Sequence, residues 1–143
     1  MYEINKIADV TCTMTILILA NQKKVWNTLT DIDNWTKWQP SIRKSRLNGE
    51  LKPQTTFDWK NEGMNIHSLL HIVDPYSNIC WTGKVYGVFA VHNWILKDLN
   101  GTTQVTVSES MEGLLARLFK KYFNNMLKKE MEKSLLQLKK IIE

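Results

Sequence analysis

Two side chains in this sequence could do proton chemistry together: His92 and Glu109. His92 shares an alternating pattern with Trp94 and Leu96, and Glu109 shares one with Val105, Val107 and Met111. Asn100–Gly101, the strongest two-residue hairpin signal in the chain, separates the two runs and makes them partner strands. In apolar surroundings the pair has three readings. It could be the acid and base of a reaction, the anchor for a ligand oxygen, or two groups that satisfy each other or a water at a cavity edge.

Other chemistry-bearing residues are sparse. His67 and His71 are four apart, a spacing that on a helix would suggest a metal pair. Their segment reads as a strand and no carboxylate or cysteine completes a site, so both are expected on the solvent face of a sheet. Cys12 and Cys80 are far apart and lack metal-ligand neighbours, which reads as two reduced core thiols rather than a disulfide or a zinc site. No metal and no cofactor is expected. The sequence holds no nucleophile elbow, P-loop or dinucleotide fingerprint, which argues against most standard enzymes.

Six tryptophans remain to be placed. Trp26, Trp35 and Trp38 fall in two short helical segments and are expected to plug one end of a sheet. Trp59, Trp81 and Trp94 alternate with polar residues in strands and are the candidates for a flat aromatic wall against a ligand.

The elements that position these residues follow from periodicity. From Ala8 to Leu19, the apolar Ala8, Val10, Cys12, Met14, Ile16 and Ile18 share one parity, and Asp9 with three threonines takes the other: a half-buried strand. Asn21 can cap a helix over Gln22–Leu29 whose apolar side is Val25, Trp26 and Leu29. Asp31–Pro40 reads as a second helical turn, capped by Asp33 or Asn34 and ended by Pro40. Strands are expected at Ile42–Leu47, Thr55–Lys60, Met64–Val73, Ser77–Thr82, Val88–Leu99 and Thr102–Glu112, joined by short turns as in an antiparallel meander. Leu114–Ile142 contains no Gly or Pro and reads as one amphipathic helix of about 29 residues, roughly 43 Å long. Its apolar side is Ala116, Phe119, Phe123, Leu127, Met131, Ser134, Leu138 and Ile141.

Length, charge and hydropathy limit what this assembly can be. The 143 residues, 43% of them hydrophobic, fit one domain over 1–143 with a real core. The longest apolar run, Met14–Ala20, is far short of the ~18 residues a spanning helix needs. Glu3 and Asp9 stand where a signal sequence would be basic, so cytoplasmic residence is expected. Residues 1–112 carry eleven basic and eleven acidic side chains, while 113–143 carry eight and three, so the whole net charge of +5 sits on the last segment. That face reads as a solvated one. No recognition motif points to nucleic acid. Peripheral membrane contact stays open, although the apolar side of the helix is needed for the core.

The order and residues together resemble the helix-grip superfamily of START lipid-transfer domains, birch-pollen-type allergens and bacterial polyketide cyclase/dehydrase-like proteins. The resemblance rests on Val25, Trp26, Asp31, Trp35, Trp38 and Pro40 after the first strand, and on the Trp-x-Gly of Cys80–Gly83. It rests also on the His92–Gly113 hairpin, with Gly-Thr after its turn and Glu then Gly before the long helix. It covers essentially the whole chain. Asn21 departs from it, since many members carry Pro there.

The resemblance implies an α+β helix-grip fold: a curved antiparallel sheet of about seven strands wrapped around a long C-terminal helix, with two short helices closing one end. Between sheet and helix it implies an apolar cavity. Strand and helix parity assign Phe57, Trp59, Trp81, His92, Trp94, Val107, Glu109, Phe119, Phe123 and Leu127 to its lining. The expected function is binding or carriage of a hydrophobic small molecule (lipid, isoprenoid, quinone or polyketide-like). One alternative is a polyketide-type cyclase or dehydratase using His92 and Glu109. Another is a membrane- or ribosome-associated protein acting through the basic helix face. A monomer or weak dimer is expected.

Overall fold

The computed structural model describes residues 3–143. Its elements are β1 (Val10–Ile18), α1 (Gln22–Thr30), a 3-10 turn over Ile32–Lys37, β2 (Ile42–Leu47), β3 (Thr56–Asn61), β4 (Met64–Asp74), β5 (Asn78–Val85), β6 (Val88–Leu99), β7 (Thr102–Glu112), α2 (Leu114–Leu118) and α3 (Lys120–Ile142). The strands form one seven-stranded sheet in the order β1-β7-β6-β5-β4-β3-β2, antiparallel throughout. The meander β2–β7 is thus extended by β1, which comes back to pair with the last strand. This is the helix-grip arrangement expected from the sequence. Among the described residues no helix is long and apolar enough to cross a membrane.

Turn chemistry sets the registers. Asn100 (φ 56°) and Gly101 (φ 96°) both take the left-handed conformation that a two-residue hairpin needs. Glu62–Gly63 does the same between β3 and β4, and Tyr86–Gly87 between β5 and β6. The last pair was not expected as a turn. The strand expected at Ser77–Thr82 is longer: β5 runs through Gly83 to Val85. Register shifts between Ile42 and Lys44 and between Leu70 and Ile72 bend the sheet.

Asn21 caps α1 as expected, its Oδ1 accepting from the Lys24 N–H at 2.8 Å. Because Asn21 is exposed and makes little else, Asn21→Ala should cost about 1 kcal/mol. Denaturant titration should show a lower midpoint with an unchanged slope. The caps expected for the next turn are not used. Asp31 holds the N-cap position without a side-chain bond to the helix backbone, its carboxylate accepting from the Asn34 side-chain amide at 2.8 Å, and Asp33 accepts from the Leu47 N–H at 2.7 Å, tying the turn to β2.

The C-terminal segment is a correction. It is not one helix: it breaks at Phe119 (φ −117°, ψ 38°) into α2 and α3. The two pieces have different partners. α2 packs on β6 and β7, while α3 runs along β1. The break also changes the buried stripe, which is Leu127, Met131, Leu135, Leu138 and Ile142, with Phe119 and Ile141 exposed.

α3 is fastened to β1 near both ends. Asn124 accepts from the Thr11 N–H at 3.3 Å and donates to the Asp9 carbonyl at 3.0 Å. Lys139 donates to the Leu17 carbonyl at 2.9 Å, and Glu143, paired with Lys139, accepts from the Leu19 N–H at 3.0 Å.

Candidate functional site

Helix α3 follows the β1 edge of the sheet and stands away from the middle strands, leaving a cavity of about 320 Å³. The inner face of the sheet supplies its wall in cross-strand rows. One row runs Cys12, Glu109, His92, Trp81 and Leu70 across five strands. The next runs Met14, Val107, Trp94, Ile79 and Val73. Every residue of a row points the same way because side chains alternate along each strand and the register aligns them.

Of the positions assigned to the lining, Trp59, Trp81, His92, Trp94, Val107, Glu109, Phe123 and Leu127 lie on the cavity wall. Two do not. Phe57 points inward but is fully buried behind Trp35, Trp59 and Trp81, which pack on its ring at 5.4–6.3 Å. Phe119 is more than half exposed because the helix breaks at that residue. Trp35, expected only as an end plug, lines the cavity as well. It is 1% exposed, donates from Nε1 to the Leu29 carbonyl at 2.8 Å, and meets Phe57, Trp59 and Trp81 at 5.5–5.6 Å.

His92 is the best-defined polar group of the wall. Its ring is stacked between Trp81 (centroids 4.7 Å apart, planes 24° apart) and Trp94 (5.7 Å, 4°). Its Nδ1 pairs with the Glu109 carboxylate directly opposite on β7. That contact assigns the proton to Nδ1 and leaves Nε2 of the neutral ring as an acceptor. Nε2 is buried and has no hydrogen-bond partner, and the same holds for the indole Nε1–H of Trp94. One free acceptor and one free donor thus stand on neighbouring stacked rings in an otherwise apolar wall, where an unpaired polar group is costly.

A second polar region was not foreseen. Gln39, Ser41, Asn61, Glu62 and Glu130 line the cavity where the 3-10 turn, the β3–β4 hairpin and α3 come together. Burial, and then the neighbouring Glu62 carboxylate, hold the Glu130 carboxyl above its ordinary value against the opposing pull of Lys133. These residues come from separate elements and share no sequence period, so no local pattern announces them.

The remaining candidates lie off the cavity. His67 is exposed on the outer face and bonds Asp58 at 2.6 Å. Asn48 and then His67 hold the Asp58 carboxyl below its usual range. His71 is not solvent-facing as expected. It sits half-buried at the β4 bulge, bonded to the Thr82 hydroxyl at 2.8 Å, and burial lowers its pKa. Both thiols are free: burial pushes Cys80 up to about 11, and burial followed by the Glu109 charge raises Cys12. Among the described residues no three His, Cys, Asp or Glu side chains gather as a metal site.

Comparison with known proteins agrees with the fold. A family model described as polyketide cyclase/dehydrase and lipid transport matches residues 9–143. No functionally curated protein matches the sequence. Among solved structures, a hypothetical protein from Helicobacter pylori superposes with a TM-score of 0.86 at 17% identity, covering 100% of this chain and 98% of its own. A START superfamily protein from Mycobacterium smegmatis gives 0.79 at 12% identity, covering 92% and 96%. An aromatase/cyclase, Zhui, from Streptomyces sp. R1128 gives 0.78 at 14% identity, covering 92% of each chain. At these identities the likeness is one of fold.

Proposed function

This chain belongs to the polyketide cyclase/dehydrase and lipid transport family, and from that premise we propose that it binds and carries one compact hydrophobic molecule bearing a hydroxyl or enol oxygen. The observation that carries the proposal is the orphaned pair, Trp94 Nε1–H and His92 Nε2. A hydroxyl is the simplest group that satisfies both, accepting from the indole while donating to the imidazole. The aromatic and aliphatic wall supplies affinity by burying apolar ligand surface, at about 25 cal/mol per Å². A volume of about 320 Å³ is at the small end of the range for ligand sites, which favours a fused-ring or short-chain molecule over a two-tailed lipid.

Naphthalene and 2-naphthol differ by the hydroxyl alone and test this directly. Tryptophan fluorescence titration should show 2-naphthol binding more tightly. Trp94→Phe should weaken 2-naphthol by roughly 5–30-fold, the worth of one buried hydrogen bond of about 1–2 kcal/mol, and leave naphthalene unchanged. Equal affinities for the two compounds, unmoved by Trp94→Phe, would overturn the reading.

A second reading is favoured by the His92–Glu109 contact. An imidazole oriented by a carboxylate, with a free Nε2, has the form of a general base. With a bound ketone, Nε2 would take a proton from the adjacent carbon, Glu109 would stabilise the resulting imidazolium, and Trp94 Nε1–H would face the oxygen that gains charge. The Streptomyces neighbour is by name an aromatase/cyclase, so this fold accommodates such chemistry. Exchange of the α-protons of 2-tetralone with deuterated solvent should be accelerated by the protein and fall to background in His92→Ala. Undiminished exchange in that variant would remove His92 as the base.

A further inference from the structure

The break at Phe119 leaves apolar side chains without a place in the core. Leu114, Leu118, Phe119 and Tyr122 are each more than half exposed, and so is Tyr86 at the tip of the β5–β6 hairpin. They belong to one region. A Cβ added at Gly113, just before α2, would lie 2.1 Å from the Gly87 carbonyl oxygen, so the hairpin tip touches the start of that helix. The region also adjoins the cavity, since Tyr86 and Leu115 line it. Tyr122 meets the cavity-lining Phe123 edge-on at 5.4 Å.

Within residues 113–122 the charges have one sign; the acids at this end of the sheet are Glu112, which accepts from the Asn5 side chain, and Glu62 at the tip of the β3–β4 hairpin. Arg117, Lys120 and Lys121 are exposed among them, and residues 113–122 contain no acid. The objection to membrane contact, that the core needs the apolar face of the helix, holds for α3 from Leu127 onward and for Leu115, Ala116 and Phe123, but not for Leu114, Leu118, Phe119 and Tyr122. Leu, Phe and Tyr projecting beside Lys and Arg match a lipid interface, where rings and aliphatic chains enter the headgroup boundary and cations meet anionic lipid. A second copy of the chain fits poorly, because a two-fold contact through this patch would set the three cations of one copy against the same three of the other.

We infer that this patch docks the protein on anionic membranes with the cavity end facing the lipid. The inference goes beyond the cavity reading and does not depend on it. The test is sedimentation of the full chain with vesicles of phosphatidylcholine alone or mixed equally with phosphatidylglycerol. The protein should bind the mixed vesicles, bind neutral ones far more weakly, and be released by high salt. Lys120→Gln with Lys121→Gln should lower binding by roughly 25-fold, at about fivefold for each charge. Leu118→Ser with Phe119→Ser should lower it on both vesicle types while an unchanged circular dichroism spectrum shows the fold retained. Trp94→Phe should leave vesicle binding unaltered, so failure of the cavity reading and failure of this one are separable. No binding to mixed vesicles at low salt, or full binding by both double variants, would overturn the inference. So would a concentration-dependent dimer that Leu118→Ser dissolves in the absence of vesicle binding.

Discussion

Ala90→Phe should abolish ligand binding, by about a hundredfold or more, while the chain stays folded. Ala90 lies on the inner face of β6, two residues before His92, and lines the cavity. Its cross-strand neighbours are Met111 and Gly83, and Gly83 has no side chain to obstruct a ring. A phenyl group there would extend into open volume and occupy the space of a bound molecule. Overpacking a filled core costs typically 1–3 kcal/mol, and a ring entering a void should cost less. Thermal unfolding should therefore shift by only a few degrees. Titration with 2-naphthol should show the affinity lost. Retained affinity would place the ligand outside the space between sheet and helix.

The largest effect on stability is expected for Trp35→Ala. Trp35 is buried, closes one wall of the cavity, and makes ring contacts to three other aromatic side chains as well as a hydrogen bond to the Leu29 carbonyl. Truncating a buried Trp to Ala costs about 3–5 kcal/mol. That is a large share of the 5–15 kcal/mol by which a domain is typically stable. For a chain of this length the loss corresponds to a fall of roughly 10–20 °C in Tm. Trp35→Phe should recover part of it, because the ring contacts survive in reduced form while the indole N–H is lost. A loss below about 1 kcal/mol in Trp35→Ala would mean that Phe57, Trp59 and Trp81 close over the gap.

The inner wall was the most legible part of the site because strands carry a rigid code. The Asn100–Gly101 turn pairs Leu99 with Thr102, and counting back from there puts His92 opposite Glu109 without further information. Alternation then places Trp94 and Val107 on the same face. The helical side was less legible. Nothing in the run from Leu114 to Ile142 forbids a continuous helix, and the break at Phe119 falls where the partner strands change, from β6 and β7 under α2 to β1 under α3. Phe57 shows the limit of parity arguments. It points inward as expected, but depth is set by which larger ring lies over it, and Trp35 comes from a segment with no period to relate the two. The polar group around Gln39, Asn61 and Glu130 was invisible for the same reason.

Since α3 is bound to β1 by Asn124 near one end and by Lys139 and Glu143 at the other, the helix resembles a cover hinged on a spine. A displacement of its far side relative to β4 and β5 would break no bond of the sheet ladder. Width is then expected to be the compliant dimension of the cavity, and length, set by the sheet, the stiff one. Molecules of different thickness should be accommodated at similar cost, whereas lengthening a molecule along the strand direction should be penalised steeply.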